Sequence, residues 1–95
     1  MTKELYRIIL DQSIRTSYSI FKLFTNTIYL GHNDIHGWNL FYDLLYTRLN
    51  ESDIRVVVEI RGDFHLIPEE LEIFRSISSS LQGDFPDKII FAYVD

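Results

Sequence analysis

Apolar residues recur along this chain with two different periods. Residues 5–10, 54–60 and 88–94 are short, dense runs rich in Leu, Ile and Val. Bounded by turn-forming residues, such runs read as strands. Between them the spacing lengthens to three and four. Ile20, Leu23, Phe24, Thr27 and Ile28 make one helical stripe, with N-cap candidates at 16–19 and an end expected before Gly31. Trp38, Phe41, Leu45 and Leu49 make a second over 38–49, which Leu40 and Leu44 widen on one side. Leu71, Phe74, Ile77 and Leu81 make a third. Pro68 suits its first position, Glu69 and Glu70 favour its N-terminal dipole, and Gly83 is its expected stop.

The resulting order, β-α-α-β-α-β, places helices between strands and so predicts an α/β domain. Its sheet should be three-stranded and parallel, joined by right-handed crossovers. Val56-Val57-Val58 shows no polar alternation, which predicts a strand buried on both faces. Residues 1–95 form a single domain, with no repeat, low-complexity tract or linker.

Composition narrows the possibilities. The chain is 46% hydrophobic with a mean hydropathy near zero, as expected of a globular protein large enough for one modest core. Cysteine is absent, so a disulfide framework, a thiol nucleophile and a Cys-based zinc site are excluded. That fits a reducing cytoplasm, the expected location. No signal peptide is read at the N-terminus, and the apolar runs are far too short for a membrane span. A net charge of −5 argues against direct nucleic-acid binding and suits a basic protein partner.

The residues that carry chemistry were weighed in turn. His32, Asp34 and His36 are of types that suit zinc or nickel, but alternation on a loop between Gly31 and Gly37 favours ordinary loop polarity. His65 and Glu59 do not make a convergent catalytic set, and no GxSxG, HExxH or P-loop occurs. Neither an enzyme nor a cofactor is expected. Glu59 lies in an apolar strand and should point out at its end or pair with Arg61, Arg75 or Arg15. On the second helix, Asn39, Tyr42, Asp43 and Tyr46 form a polar, aromatic and acidic patch beside the buried ridge. Tyrosine buries much area at low entropic cost and a carboxylate adds charge and direction, so the patch suits protein binding.

The run Trp38-Asn39-Leu40-Phe41-Tyr42-Asp43-Leu44-Leu45 also resembles the second helix of the barstar family of small intracellular ribonuclease inhibitors and immunity proteins. That family's pattern there is roughly apolar, acid, small, apolar, aromatic, Asp, variable, Leu. The likeness runs back through Ile28, Phe24 and Ile20 to Ile14-Arg15-Thr16 and Ile8-Ile9. It resumes at Val56-Val57-Val58-Glu59, continues through Leu71-Glu72-Ile73-Phe74-Arg75 and fits Ile89-Ile90. Most of the chain is covered by this ordered set, although no one motif is diagnostic.

The resemblance implies a barstar-like fold, a three-stranded parallel sheet packed with three or four helices, and an immunity protein or antitoxin whose helix and loop plug the active cleft of a cognate nuclease, with a ribonuclease expected. Carboxylates would there replace substrate phosphates against the enzyme's basic residues. It implies contacts from the loop at Asn33, Asp34 and His36, from Asn39, Tyr42, Asp43 and Tyr46, and from Ser76. Several positions depart from the family. Asn39, Ser76 and Ser80 stand where acids are expected, and Asn33 where a loop tyrosine is expected. Only Tyr42-Asp43 is clearly kept, with Asp34 able to restore one charge, so the partner's pocket should be less basic or differently spaced. A monomer is favoured. The alternatives are an interaction module for a non-nuclease partner, or a small metal-dependent enzyme using His32, Asp34, His36 and His65.

Overall fold

The computed structural model describes residues 4–31 and 34–94. Its elements are β1 (Glu4–Leu10), α1 (Ser17–Ile28), α2 (Trp38–Glu51), β2 (Ile54–Arg61), α3 (Pro68–Asp84) and β3 (Ile89–Val94). This is the expected order, with three helices. The sheet runs β1-β2-β3 with β2 in the middle, and both pairings are parallel.

Local chemistry explains where the helices begin. Thr16 is extended and its hydroxyl accepts from the Ser19 N–H at 3.2 Å, satisfying one of the first-turn donors of α1. Pro68 opens α3, where its missing N–H costs nothing, and two glutamates follow in the first turn. The α3 terminus differs from expectation: Gly83 lies inside the helix, which closes at Phe85 through its N–H to the Leu81 carbonyl. After α1 the chain turns sharply, with Tyr29 at φ +44° and Gly31 at φ +87°. The turn is held by the Thr25 hydroxyl, which accepts from the Leu30 N–H at 3.3 Å.

One core lies between the sheet and the helices. Ile8, Val56, Val58 and Ile89 project into it from the strands, and Phe24, Phe41, Leu45 and Phe74 from the helices. Phe24, Phe41 and Phe74 are at most 1% exposed, as their stripe positions require. Phe41 touches Phe21 and Phe24 with ring centroids 4.9 and 5.1 Å apart.

Two expectations need correcting. β2 is central but not covered on both faces: Ile54, Val56, Val58 and Ile60 are buried, whereas Arg55, Val57, Glu59 and Arg61 turn to a face that no helix packs against. The valine run therefore encodes centrality in the sheet, with Val57 sheltered only by its strand neighbours. Leu40 does not widen the buried ridge either; it is 37% exposed, with Leu44 half-buried. At about 100° per residue Leu40 lies too far round the helix from Phe41 and Leu45, whereas Leu44 packs against the edge of the core as expected.

Candidate functional site

The phase of α2 follows from its ridge. With Phe41, Leu45 and Leu49 buried, Asn39, Asp43 and Tyr46 lie on the outer surface of the helix. Asp43 is exposed and has no hydrogen-bond or ionic partner among the described residues. Tyr42 is placed differently from its neighbour. It is half-buried on the flank of α2 that faces α3, and its hydroxyl lies 3.1 Å from that of Ser80. Tyr42 and Asp43 therefore do not face out side by side: one lines a groove and the other stands on its crest.

The groove runs between α2 and α3 and encloses about 590 Å³. Trp38, Asn39 and Tyr42 line it from α2, and Glu69, Glu72, Ile73, Ser76, Ile77 and Ser80 from α3. Its apolar wall is anchored where the Trp38 indole N–H donates to the Glu70 carboxylate, tying the first turns of the two helices together. Toward the other end of the helices, Tyr46 packs edge-on against Phe85 at 4.9 Å and lies 5.9 Å from the Tyr42 ring. No Lys or Arg lines the groove, so its two lining carboxylates are not neutralised from within.

The loop entering α2 adds a second patch. Buried Ile35 pins it to the core, leaving Asp34 and His36 exposed on either side. His36 Nε2 lies 2.8 Å from Asp34 Oδ2. The Tyr18 hydroxyl, from the first turn of α1, approaches Asp34 Oδ1 at 3.5 Å, and its ring lies nearly parallel to that of His36 with centroids 6.5 Å apart. Asn33 and His32 lie outside the described residues. Among the described residues no group of three or more His, Cys, Asp or Glu is arranged to hold a metal ion, and no helix is long and apolar enough to cross a membrane. His65 is exposed in the connection between β2 and α3.

Of the residues singled out in the sequence, Asn39, Tyr42 and Ser76 meet in the groove, Asp43 and Tyr46 stand on α2 beside it, and Asp34 and His36 share the loop. Tyr18, Glu69, Glu72 and Ile73 belong with them and were missed. Three of these carried a signal. Residues 69, 72, 73, 76, 77 and 80 form one stripe at three- and four-residue spacing, so the two serines implied their glutamate neighbours. Tyr18 carried none, since its approach to the loop depends on how α1 packs. Compared with protein-family models, curated proteins and solved structures, the chain gives no significant match.

Glu59, within β2, is paired as expected, though with a different set. It accepts from Arg7 on β1 and lies 3.4 Å from Arg61 Nη2, while Arg15 and Arg75 are not involved. The Arg7 hydrogen bond, aided by the charges of Arg7 and Arg61 and opposed by desolvation, holds its carboxyl below the ordinary value near 4.5. This cluster lies on the bare side of the sheet and is no part of the groove.

Proposed function

We propose that this chain is a barstar-like immunity protein that neutralises a nuclease of the ribonuclease class by seating the α2–α3 groove and the loop before α2 in the enzyme's active cleft. The supporting observation is where the charge lies. Ser76 and Ser80 occupy positions at which the family resemblance leads one to expect acids, yet they share their groove with Glu69 and Glu72. Negative charge is thus supplied to the same groove from nearer the start of α3. Asp34 and Asp43 extend it along the loop and the crest of α2. A cleft built to bind phosphates offers cations to such a surface, and a groove with aromatic and aliphatic walls can desolvate the ion pairs that form.

The mechanism is occlusion, with no bond made or broken by this chain. Asp43, exposed and without a partner among the described residues, is placed to accept hydrogen bonds from a partner's Arg or Lys. Tyr42 contributes through its ring, as one wall of the groove, more than through its hydroxyl, which Ser80 already engages. Asn39, Tyr46, Asp34, His36 and Ser76 complete the contact. Acting as a monomer in the cytoplasm, the protein would shield the cell that makes it.

The test begins with the protein encoded immediately upstream, which should kill cells that lack this chain. Calorimetry against that protein should then show Asp43→Ala and Glu72→Ala weakening binding, by about 2 kcal/mol for an anchoring contact. Tyr42→Ala should do likewise, and association should be faster at low salt. Ser78→Ala is the control, since its hydroxyl is buried and spent on the Phe74 carbonyl 2.7 Å away. Wild-type binding by all three groove and crest variants would reject the proposed face.

A further inference from the structure

The side of the sheet away from the helices is bare. In register across the strands it presents Leu5 beside Arg55, then Arg7, Val57 and Ile90, then Ile9, Glu59 and Ala92, and finally Arg61 beside Val94. None of these residues belongs to the core, and Leu5 is 68% exposed. All-parallel sheets occur almost only with both faces covered, whereas one solvated face is a habit of antiparallel sheets. An uncovered parallel face with a continuous Val57, Ile90, Ala92 and Val94 surface therefore marks a place where a further layer belongs.

Charge indicates what that layer is. The whole chain has 14 acidic and 9 basic residues, yet this face carries three arginines and one glutamate. Glu59 is shared between Arg7 and Arg61, and Arg55 has no ionic partner among the described residues. The face is thus positive on a negative protein. Two copies set face to face would bring arginines against arginines, so a symmetric dimer is disfavoured. Arg55, Glu59 and Arg61 sit on the central strand β2 and Arg7 on β1, while β3 contributes only Ile90, Ala92 and Val94, so an apolar track along the β3 edge, joined by Val57, is flanked by charge on its β2 side.

We propose that this sheet face binds one amphipathic helix of a partner protein, with an apolar stripe over Val57, Ile90 and Ala92 and acidic residues along the flank that meets Arg7, Arg55 and Arg61. The dimensions agree. β2 has eight residues, about 26 Å at 3.3 Å each, and a helix of about 18 residues has nearly the same length. Three strands at about 4.8 Å spacing present roughly the width of a single helix. Because the groove lies on the helical side, this face is free whether or not the groove is occupied, and the inference does not depend on a nuclease being the partner there.

The probes are two synthetic amphipathic helical peptides of about 18 residues with the same Leu and Ala stripe, one flanked by Glu and the other by Lys. Titrated into the full chain, the Glu peptide should bind at least about tenfold more tightly than the Lys peptide. Arg55→Glu should abolish or reverse that preference, and because Arg55 is exposed and has no ionic partner among the described residues the variant should melt like wild type. Amide shifts on binding should centre on Val57, Ile90 and Ala92 and leave α2 unchanged. Equal affinity for the two peptides, or binding by neither, would overturn the proposal. So would binding to phosphatidylserine vesicles without binding of the Glu peptide, or self-association at this face in sedimentation experiments.

Discussion

Replacing Phe41 with alanine tests the phase of α2, on which the placement of every groove and crest residue depends. Phe41 is 1% exposed, and its ring meets Phe21, Phe24 and Trp38 at centroid distances of 4.9, 5.1 and 5.9 Å. Truncating a buried phenylalanine typically costs about 3–5 kcal/mol through lost transfer energy and the cavity left behind. The three aromatic contacts add to burial, at roughly 0.5–1.5 kcal/mol for a well-oriented pair, and place this site at the upper end of that range. Phe21 and Phe24 are fixed on α1 and are themselves buried, so little collapse can relieve the void. A domain of this size has about 5–14 kcal/mol in total, so Phe41→Ala should remove a third or more of its stability. Urea melts of the two proteins, followed by far-ultraviolet circular dichroism, measure the difference. A loss below about 1 kcal/mol would mean that Phe41 is not in the core and that α2 is rotated, taking Asp43 and Tyr46 off the exposed surface.

Two further changes probe local chemistry. Because the Glu59 carboxyl titrates below its unfolded value, its contribution is present above pH 4.5 and is lost as pH falls through the lower folded-state value. Glu59→Gln should therefore flatten the acid limb of the stability profile in chemical denaturation, and an unchanged limb would show that the Arg7 and Arg61 contacts are not held in solution. Thr16→Ala should cost about 1 kcal/mol by removing the hydroxyl that caps the Ser19 N–H, which keeps only its bond to the Thr16 carbonyl, and Thr16→Ser should recover most of it; equal melts for all three proteins would mean that the cap is not formed.

Much of the architecture was legible in the chain because two periods seldom coincide. Leu71, Phe74, Ile77 and Leu81 can form a single stripe only as a helix, and the dense runs at 5–10 and 88–94 are too short for one. Coverage of the sheet was not legible. A valine triplet looks the same whether Val57 is roofed by a helix or merely flanked by Arg7 and Ile90 in register, since periodicity reports which residues avoid water and not what excludes it. The candidate site divides in a similar way. Asp43 and Tyr46 follow from the phase of one helix. The groove needs two helices at a particular crossing, which no single stripe encodes, and so Tyr42 was assigned to the outer surface when it belongs to a wall.

The groove also changes what the missing acids mean. Judged position by position, Asn39, Ser76 and Ser80 suggest a surface that has lost its charge. Viewed in space, Ser76 and Ser80 leave polar but uncharged middle ground, with Glu69 and Glu72 at the end nearer Trp38 and the Tyr42, Tyr46 and Phe85 rings toward the other. Attraction between charges falls off only gradually with distance, whereas hydrogen-bond geometry is lost within a fraction of an ångström. Moving acids along a groove therefore preserves the long-range pull on a cationic cleft while changing which cation can be reached at close range. On the proposed function, that combination would keep fast association with a class of basic partners and alter discrimination within the class. On the proposed inhibitory role, acids shifted along the groove would suit a target whose cations are themselves rearranged, so in calorimetry against the cognate partner Glu72→Ala should weaken binding more than Asn39→Ala, and the reverse order would reject this account.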